Sequence, residues 1–181
     1  MPILKREANL FPPDLFDLRE SPWFVLHVRS RQEKAVARFL SREHLAFFLP
    51  QLARKERKNG RTFTSWLPLF PGYVFVRVPR SAQAALWRSS AVVRALPVDD
   101  QGTLQDELVQ LWRLQESGAT LTPHPYLALG DEVRIAEGVF AGYRGVVVRE
   151  KGTSLLVVSV SVIHHSVAVQ LQRDAVVPIA M

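Results

Sequence analysis

The sequence predicts an α+β protein in which an antiparallel sheet with helices packed on one face is followed by a small β-barrel. Between residues 22 and 117, strand-like and helix-like segments follow the order β-α-β-β-β-α-β-α, which is typical of helices packed on a largely antiparallel sheet. After residue 130, five short β-rich runs separated by turn residues indicate a barrel. A Gly- and Pro-containing stretch between them predicts a linker. The predicted organisation is a leader at 1–19, a first domain at 20–117, a linker at 118–129 and a second domain at 130–181.

The first half of the predicted sheet follows from propensity and turn signals. Residues 22–30 and 45–52 are predicted strands, and the Gly- and Pro-free segment 31–44 between them is a predicted helix. Ser30 is its expected N-cap, with Glu33 completing a capping box. The basic stretch RKERKNGR at 54–61 contains Asn-Gly, the dipeptide most typical of a tight hairpin turn.

The second half follows the same logic. Residues 81–90 are a predicted short helix and residues 92–98 a strand. Residues 104–117 are a predicted helix, because leucines recur at helical spacing and Thr103 is a suitable N-cap.

Basic charge is concentrated in one part of the chain. The net charge is +6, and residues 29–61 carry ten basic and three acidic side chains. This local excess indicates a polyanionic partner, with nucleic acid as the usual candidate. The alternative is a solvated basic surface that aids solubility.

The predicted helix at 31–44 concentrates part of this charge. At 100° per residue its basic side chains fall within a sector of roughly 80°; this basic stripe consists of Arg31, Lys34, Arg38 and Arg42. An ordered stripe suits phosphate contacts, which provide salt-sensitive affinity with little sequence information. A solvated helix face is the alternative.

The strand PLFPGYVFVRV at 68–78 is apolar on both faces. With a period of two, Val74, Val76 and Val78 are expected to face the helices. Tyr73 and Phe75 are expected on the opposite face, left uncovered as a partner surface. The alternative is that the C-terminal segment or a second copy of the chain buries that face.

Several kinds of site and compartment are disfavoured. Cysteine is absent, and none of the five histidines has metal-ligand spacing. No P-loop or nucleophile-elbow motif occurs. We therefore expect no enzymatic activity, no cofactor and no metal. The first ten residues lack the apolar core of a signal peptide, and the longest apolar run is too short to span a bilayer as a helix, so a cytoplasmic protein with no membrane contact is expected. The protein is also expected to be a monomer.

Two motifs together resemble one known family. PLFPGYVFV at 68–76 resembles the signature strand of the NusG N-terminal (NGN) domain, and GDEVRIAEGVFAGYRGVVV at 130–148 resembles a KOW motif. Their order and separation match the NusG family over roughly residues 20–181, and details of both motifs favour a specialised RfaH-like paralogue. The resemblance implies an NGN-like domain, an SH3-like KOW barrel and a transcription elongation or antitermination factor.

The resemblance also implies binding residues in the first domain. An apolar patch would dock on the clamp helices of the largest RNA polymerase subunit; by matching position it comprises His27, Phe70, Pro71, Tyr73 and Phe75. His27 departs from the family pattern, because relatives often place an aromatic residue there. Contacts to non-template DNA in the elongation complex would come from Arg29, Arg31, Lys34, Arg38, Arg42 and Arg88.

In the second domain the resemblance implies a structural turn and a recruitment role. The turn residues are Gly138, Phe140, Gly142 and Gly145, with Phe140 as the anchor in the barrel core. In relatives this domain recruits a ribosomal small-subunit protein or the termination factor Rho. Because KOW barrels also occur in ribosomal proteins, a ribosome-associated RNA-binding protein is the alternative function.

Overall fold

The computed structural model of the protein describes residues 5–18, 20–127, 132–171 and 176–178. Contacts divide the chain into two compact units, Met1–Gln101 and Gly102–Met181. Parts of the predicted segments lie outside the described residues. These are residues 1–4 and 19 of the leader, 128–129 of the linker, and 130–131, 172–175 and 179–181 of the second domain.

The first unit is built on a five-stranded antiparallel sheet of spatial order β1-β3-β6-β2-β7. The strands are β1 (Leu10–Phe11), β2 (Trp23–Val28), β3 (Ala46–Phe48), β6 (Tyr73–Arg77) and β7 (Val92–Pro97). The predicted strand at 45–52 is divided, because Pro50 has no N–H group to continue a ladder. The edge strand β1 comes from the leader, for which no structure was predicted.

Two helices pack on one face of this sheet, α1 (Glu33–Arg42) and the short α2 (Gln83–Leu86). A single buried cluster joins Val36 and Leu40 of α1 and Leu86 of α2 to the sheet residues Val74 and Val76. The predicted orientation of the signature strand towards the helices is confirmed. Short 3-10 turns occur at Leu15–Asp17 and Arg80–Ala82.

The predicted hairpin is also confirmed. Strands β4 (Gln51–Lys58) and β5 (Arg61–Pro68) pair antiparallel around Asn59 and Gly60. Both turn residues have positive φ, 50° and 74°, as a type I′ turn requires.

The second unit contains most of helix α3 (Gln101–Glu116) and a six-stranded antiparallel sheet of order β13-β9-β10-β11-β12-β8. The strands are β8 (Thr122–His124), β9 (Glu132–Ile135), β10 (Arg144–Glu150), β11 (Thr153–Val160), β12 (His165–Gln170) and β13 (Val176–Pro178). A 3-10 turn, Ser161–Ile163, joins β11 to β12. The α+β fold class is therefore confirmed.

Helix α3 is hydrogen-bonded to this second sheet. The Gln110 side chain bonds both backbone groups of Arg144, accepting from its N–H at 2.7 Å and donating to its carbonyl at 2.6 Å. The Glu107 carboxylate accepts from the hydroxyl of Ser161 at 2.6 Å. Through these contacts helix α3 belongs to the second unit, whereas residues 104–117 were predicted from the sequence to lie in the first domain.

Two details of the C-terminal half differ from expectation. Thr103 is not the N-cap of α3, because the helix begins two residues earlier at Gln101. There the Gln101 side chain bonds the backbone of Trp23. The predicted linker contains strand β8, which pairs with β12. The division into domains at 20–117 and 130–181 stays a prediction.

No helix in the described part of the chain is long and apolar enough to cross a membrane.

Candidate functional site

The predicted apolar patch is largely buried. Phe75 has no exposed surface and Phe70 is 2% exposed. The Phe75 ring lies 6.1 Å from Phe70, edge to face, and 6.4 Å from Phe48 on the neighbouring strand. The expectation that Phe75 and Phe70 form an uncovered surface was wrong.

The leader covers this second face of the sheet. The Phe16 ring packs edge to face on Phe48 at a centroid distance of 5.3 Å and lies 6.1 Å from Trp23. Both Leu15 and Phe16 are buried. The signal available in the sequence was the apolar pair Leu15-Phe16 within a leader with no assigned role. From the sequence, the C-terminal segment or a second copy of the chain was considered as the cover for this face, and the leader was not considered.

A smaller part of the patch remains accessible. His27 and Pro71 are exposed and Tyr73 is half-buried. His27 and Tyr73 face each other across β2 and β6, with ring centroids 5.6 Å apart. We call these three residues the His27–Tyr73 ridge.

A tight turn at Pro71–Gly72 positions the ridge. Gly72 has φ +85°, its carbonyl accepts from Val28 N–H at 2.8 Å, and Tyr73 N–H donates to the Phe70 carbonyl at 3.1 Å. The Gly72 N–H donates to Oε1 of Glu33 at 2.7 Å. This hydrogen bond connects the start of α1 to the ridge.

The expected capping box at Ser30 and Glu33 was wrong. Arg31 adopts a left-handed conformation, φ +63°, so α1 begins only at Glu33, with Gln32 as N-cap and no side-chain cap bond. Glu33 is 4% exposed and its side chain serves the Gly72 turn instead.

The basic residues lie largely on the surface. Arg29, Arg31, Arg38 and Arg42 are exposed and Lys34 is half-buried. Only three members of the basic stripe are helical, since Arg31 precedes α1. Spacings of four residues keep Lys34, Arg38 and Arg42 on one side of the helix.

The leader contacts two members of the stripe. Glu7 Oε1 lies 2.5 Å from Nη1 of Arg38, and Lys34 Nζ donates to the Lys5 carbonyl. Burial lowers the pKa of Lys34; Glu7 opposes that shift and the Arg38 charge adds to it. The remaining predicted contact, Arg88, is exposed and pairs with Glu43 at 2.6 Å. The structure thus brings Lys34 and Arg38 together beneath the same leader segment, in which Glu7 supplies the carboxylate and Lys5 a backbone carbonyl.

The predicted KOW turn connects β9 to β10. Gly138 and Gly142 have φ of +83° and +88°, Gly142 N–H donates to the Ile135 carbonyl at 2.7 Å, and Phe140 is 9% exposed. A Cβ atom at Gly145 would lie 2.3 Å from the Val157 carbonyl oxygen, so only glycine permits this approach of β10 to β11.

Comparisons with known proteins identify the family. The family model for NusG, described as transcription termination factor nusG, matches residues 21–111. A Yersinia pestis protein described as transcription termination/antitermination protein NusG is 31% identical, over 85% of this chain and 94% of that protein. The chain belongs to the NusG family.

NusG family proteins are transcription factors rather than enzymes, and membership supports a role in transcription elongation or antitermination. Among the described residues, no group of three or more acidic or histidine side chains could hold a metal ion.

A solved structure, titled as conformation B of the MjSpt4:Spt5 complex, also matches this NusG family chain. It covers 88% of this chain and 97% of its own, with 19% identity and a TM-score of 0.31. At this TM-score and identity, the similarity supports no conclusion about the fold or function of this protein.

The NusG match starts at residue 21, so it excludes the leader. The leader residues that pack on Phe48 and contact Arg38 therefore lie outside the region that the family model matches.

Proposed function

We propose that this NusG family protein is a transcription elongation or antitermination factor that docks on the clamp helices of RNA polymerase through the His27–Tyr73 ridge. The observation that supports the proposal is the ring pair at the exposed end of β2 and β6. An imidazole and a phenol ring on rigid strands are well suited to anchor a helix, because little conformational entropy is lost on binding. The buried Phe70 and Phe75 then support the ridge and make no contact with polymerase.

The second part of the proposal is a contact of non-template DNA with α1 and the segment that precedes it. The side chains of Arg29, Arg31 and Arg42 are exposed, and they have no ion-pair partner among the described residues. Exposed guanidinium groups in this arrangement suit phosphates, with affinity that falls as salt rises. Arg88 is held by Glu43 and is a weaker candidate.

The third part concerns the C-terminal sheet, which we propose recruits a further partner, a ribosomal small-subunit protein or Rho. The support is the KOW-like turn between β9 and β10.

Binding to polymerase tests the proposal. Purified protein is expected to co-elute with core RNA polymerase and to reduce pausing in single-round transcription. The double variant His27→Ala, Tyr73→Ala is expected to lose both effects while its thermal unfolding remains cooperative. Trp87→Ala is the matched control, because Trp87 is 55% exposed and lies outside the ridge.

Retention of both effects by the folded double variant would contradict the ridge as the docking site. Sedimentation of the protein with ribosomes and not with polymerase, in lysates of graded salt, would favour the ribosome-associated alternative.

A further inference from the structure

The leader contacts both α1 and the hairpin of β4 and β5. Besides its two contacts with α1, it reaches the hairpin, where the Arg6 guanidinium lies 4.6 Å above the Trp66 ring. Residues 5–8 therefore occupy part of the surface to which the proposed function assigns DNA binding.

The two halves of the leader are attached differently. From Asn9 onward it is anchored by strand pairing of β1 with β3 and by the buried Leu15 and Phe16. Before Asn9 it is held at the surface, where Lys5, Arg6 and Ala8 are exposed and Glu7 is half-buried. The outer half therefore has fewer buried side chains holding it than the anchored half.

One buried side chain marks the boundary between the halves. Gln51 is 2% exposed, and its amide nitrogen donates to the Asn9 side chain at 2.9 Å and to the Glu7 carbonyl at 3.1 Å. Its amide oxygen accepts from the Glu7 N–H at 3.2 Å. Because these bonds use the backbone of Glu7, they leave its carboxylate free to contact Arg38.

The Glu7 carboxylate presents to Arg38 the same chemistry as a nucleic-acid phosphate, an anionic oxygen that accepts a charge-assisted hydrogen bond. The side chains of the pair are 56% and 26% exposed, and accessible ion pairs are weak and screened by salt. A groove of about 350 Å³ adjoins the pair and is lined by both Arg38 and Arg42. Withdrawal of Glu7 would leave two guanidinium groups facing this groove.

We infer that residues 5–8 of the leader are a displaceable occupant of the nucleic-acid site on α1, in which Glu7 takes the place of a phosphate of a single strand. The inference rests on the proposed contact between α1 and DNA. Glu7 and a DNA phosphate then compete for Arg38, so the leader lowers the affinity of this site for single-stranded DNA.

Binding of a labelled single-stranded DNA, about 12 nucleotides long, tests the inference by fluorescence anisotropy at several salt concentrations. Glu7→Gln keeps the backbone bonds to Gln51 and removes the negative charge that faces Arg38. We expect it to tighten binding about threefold to tenfold and to steepen the salt dependence by about 0.7 in the log–log slope, the value for one additional phosphate contact.

Asp14→Asn is the matched control, since Asp14 is an exposed acid of the same leader and the change in net charge is the same. Equal gains from Glu7→Gln and Asp14→Asn would overturn the inference, because the effect would then be net charge alone. In the background of Arg38→Gln, Glu7→Gln is expected to give no more gain than Asp14→Asn does.

A different result identifies failure of the proposed function itself. If Arg31→Gln and Arg42→Gln leave DNA binding unchanged in both the parent and the Glu7→Gln chain, α1 and the segment before it do not bind DNA, and both ideas fail. If those substitutions weaken binding but Glu7→Gln matches the control, the DNA contact stands and the displaceable leader is rejected.

Discussion

Oε1 of Glu33 lies 2.7 Å from the backbone nitrogen of Gly72 and accepts its hydrogen. The two residues are 39 positions apart in the chain and belong to the two proposed binding elements, α1 and the ridge turn. Glu33 is almost fully buried, so this bond operates where water competes little.

The first prediction concerns this bond. Glu33→Ala leaves the Gly72 N–H without its acceptor and is expected to lower the free energy of unfolding by about 1–3 kcal/mol. Glu33→Gln keeps an oxygen acceptor and is expected to cost less. Urea unfolding measures both, and faster hydrogen exchange of the Gly72 amide in Glu33→Ala alone locates the effect. Equal stability of the two variants would mean that the bond contributes little.

The second prediction separates buried from accessible members of the predicted patch. Phe75→Ala is expected to cost about 3–5 kcal/mol, since it opens a cavity among packed rings. Tyr73→Ala is expected to cost much less, because its ring is half-buried at the end of the sheet. Urea unfolding of the two single variants decides this, and comparable losses would place Tyr73 in the core.

The third prediction concerns the turn between β9 and β10. Gly145→Ala forces a Cβ atom against the Val157 carbonyl at 2.3 Å and is expected to disrupt pairing of β10 with β11. Gly142→Ala meets no atom within 4 Å and is expected to cost only the strain of its positive φ, about 1–2 kcal/mol. Amide exchange along β11 distinguishes them, and equal protection in both variants would refute the close approach.

The fourth prediction uses the pKa of Lys34, which burial lowers from its ordinary 10.5. The folded chain holds this proton less tightly than the unfolded chain, so the free energy of unfolding rises with pH between the lowered pKa and 10.5. Removing the Glu7 charge with Glu7→Gln should lower the pKa further, and Arg38→Gln should raise it. An NMR titration of the Lys34 side chain measures both shifts, and a shift of the same sign in the two variants would contradict the arrangement.

Features encoded by neighbouring residues were predictable from the sequence. Asn59-Gly60 specifies its hairpin through local φ preferences, and the alternation of Val74 and Val76 assigns one face of β6 to the helices. The alternation also predicted Tyr73 on the opposite face of β6, and the family resemblance added His27 to the patch.

The features that escaped prediction depend on contacts between distant segments. Phe16 covers Phe48 from 32 positions away, and periodicity within either segment contains no information about that contact. Glu33 looked like a local cap because the left-handed conformation of Arg31, which delays the helix, is rare for a residue with a side chain.

The position of Phe16 has a practical consequence for anyone working with a fragment. A chain cut at residue 21, where the family match begins, would lack β1, Leu15 and Phe16. Its aromatic underside, Trp23 and Phe48 included, would be open to water and prone to self-association. Non-specific binding of such a fragment to other proteins would then result from the missing segment and would not indicate a natural binding surface.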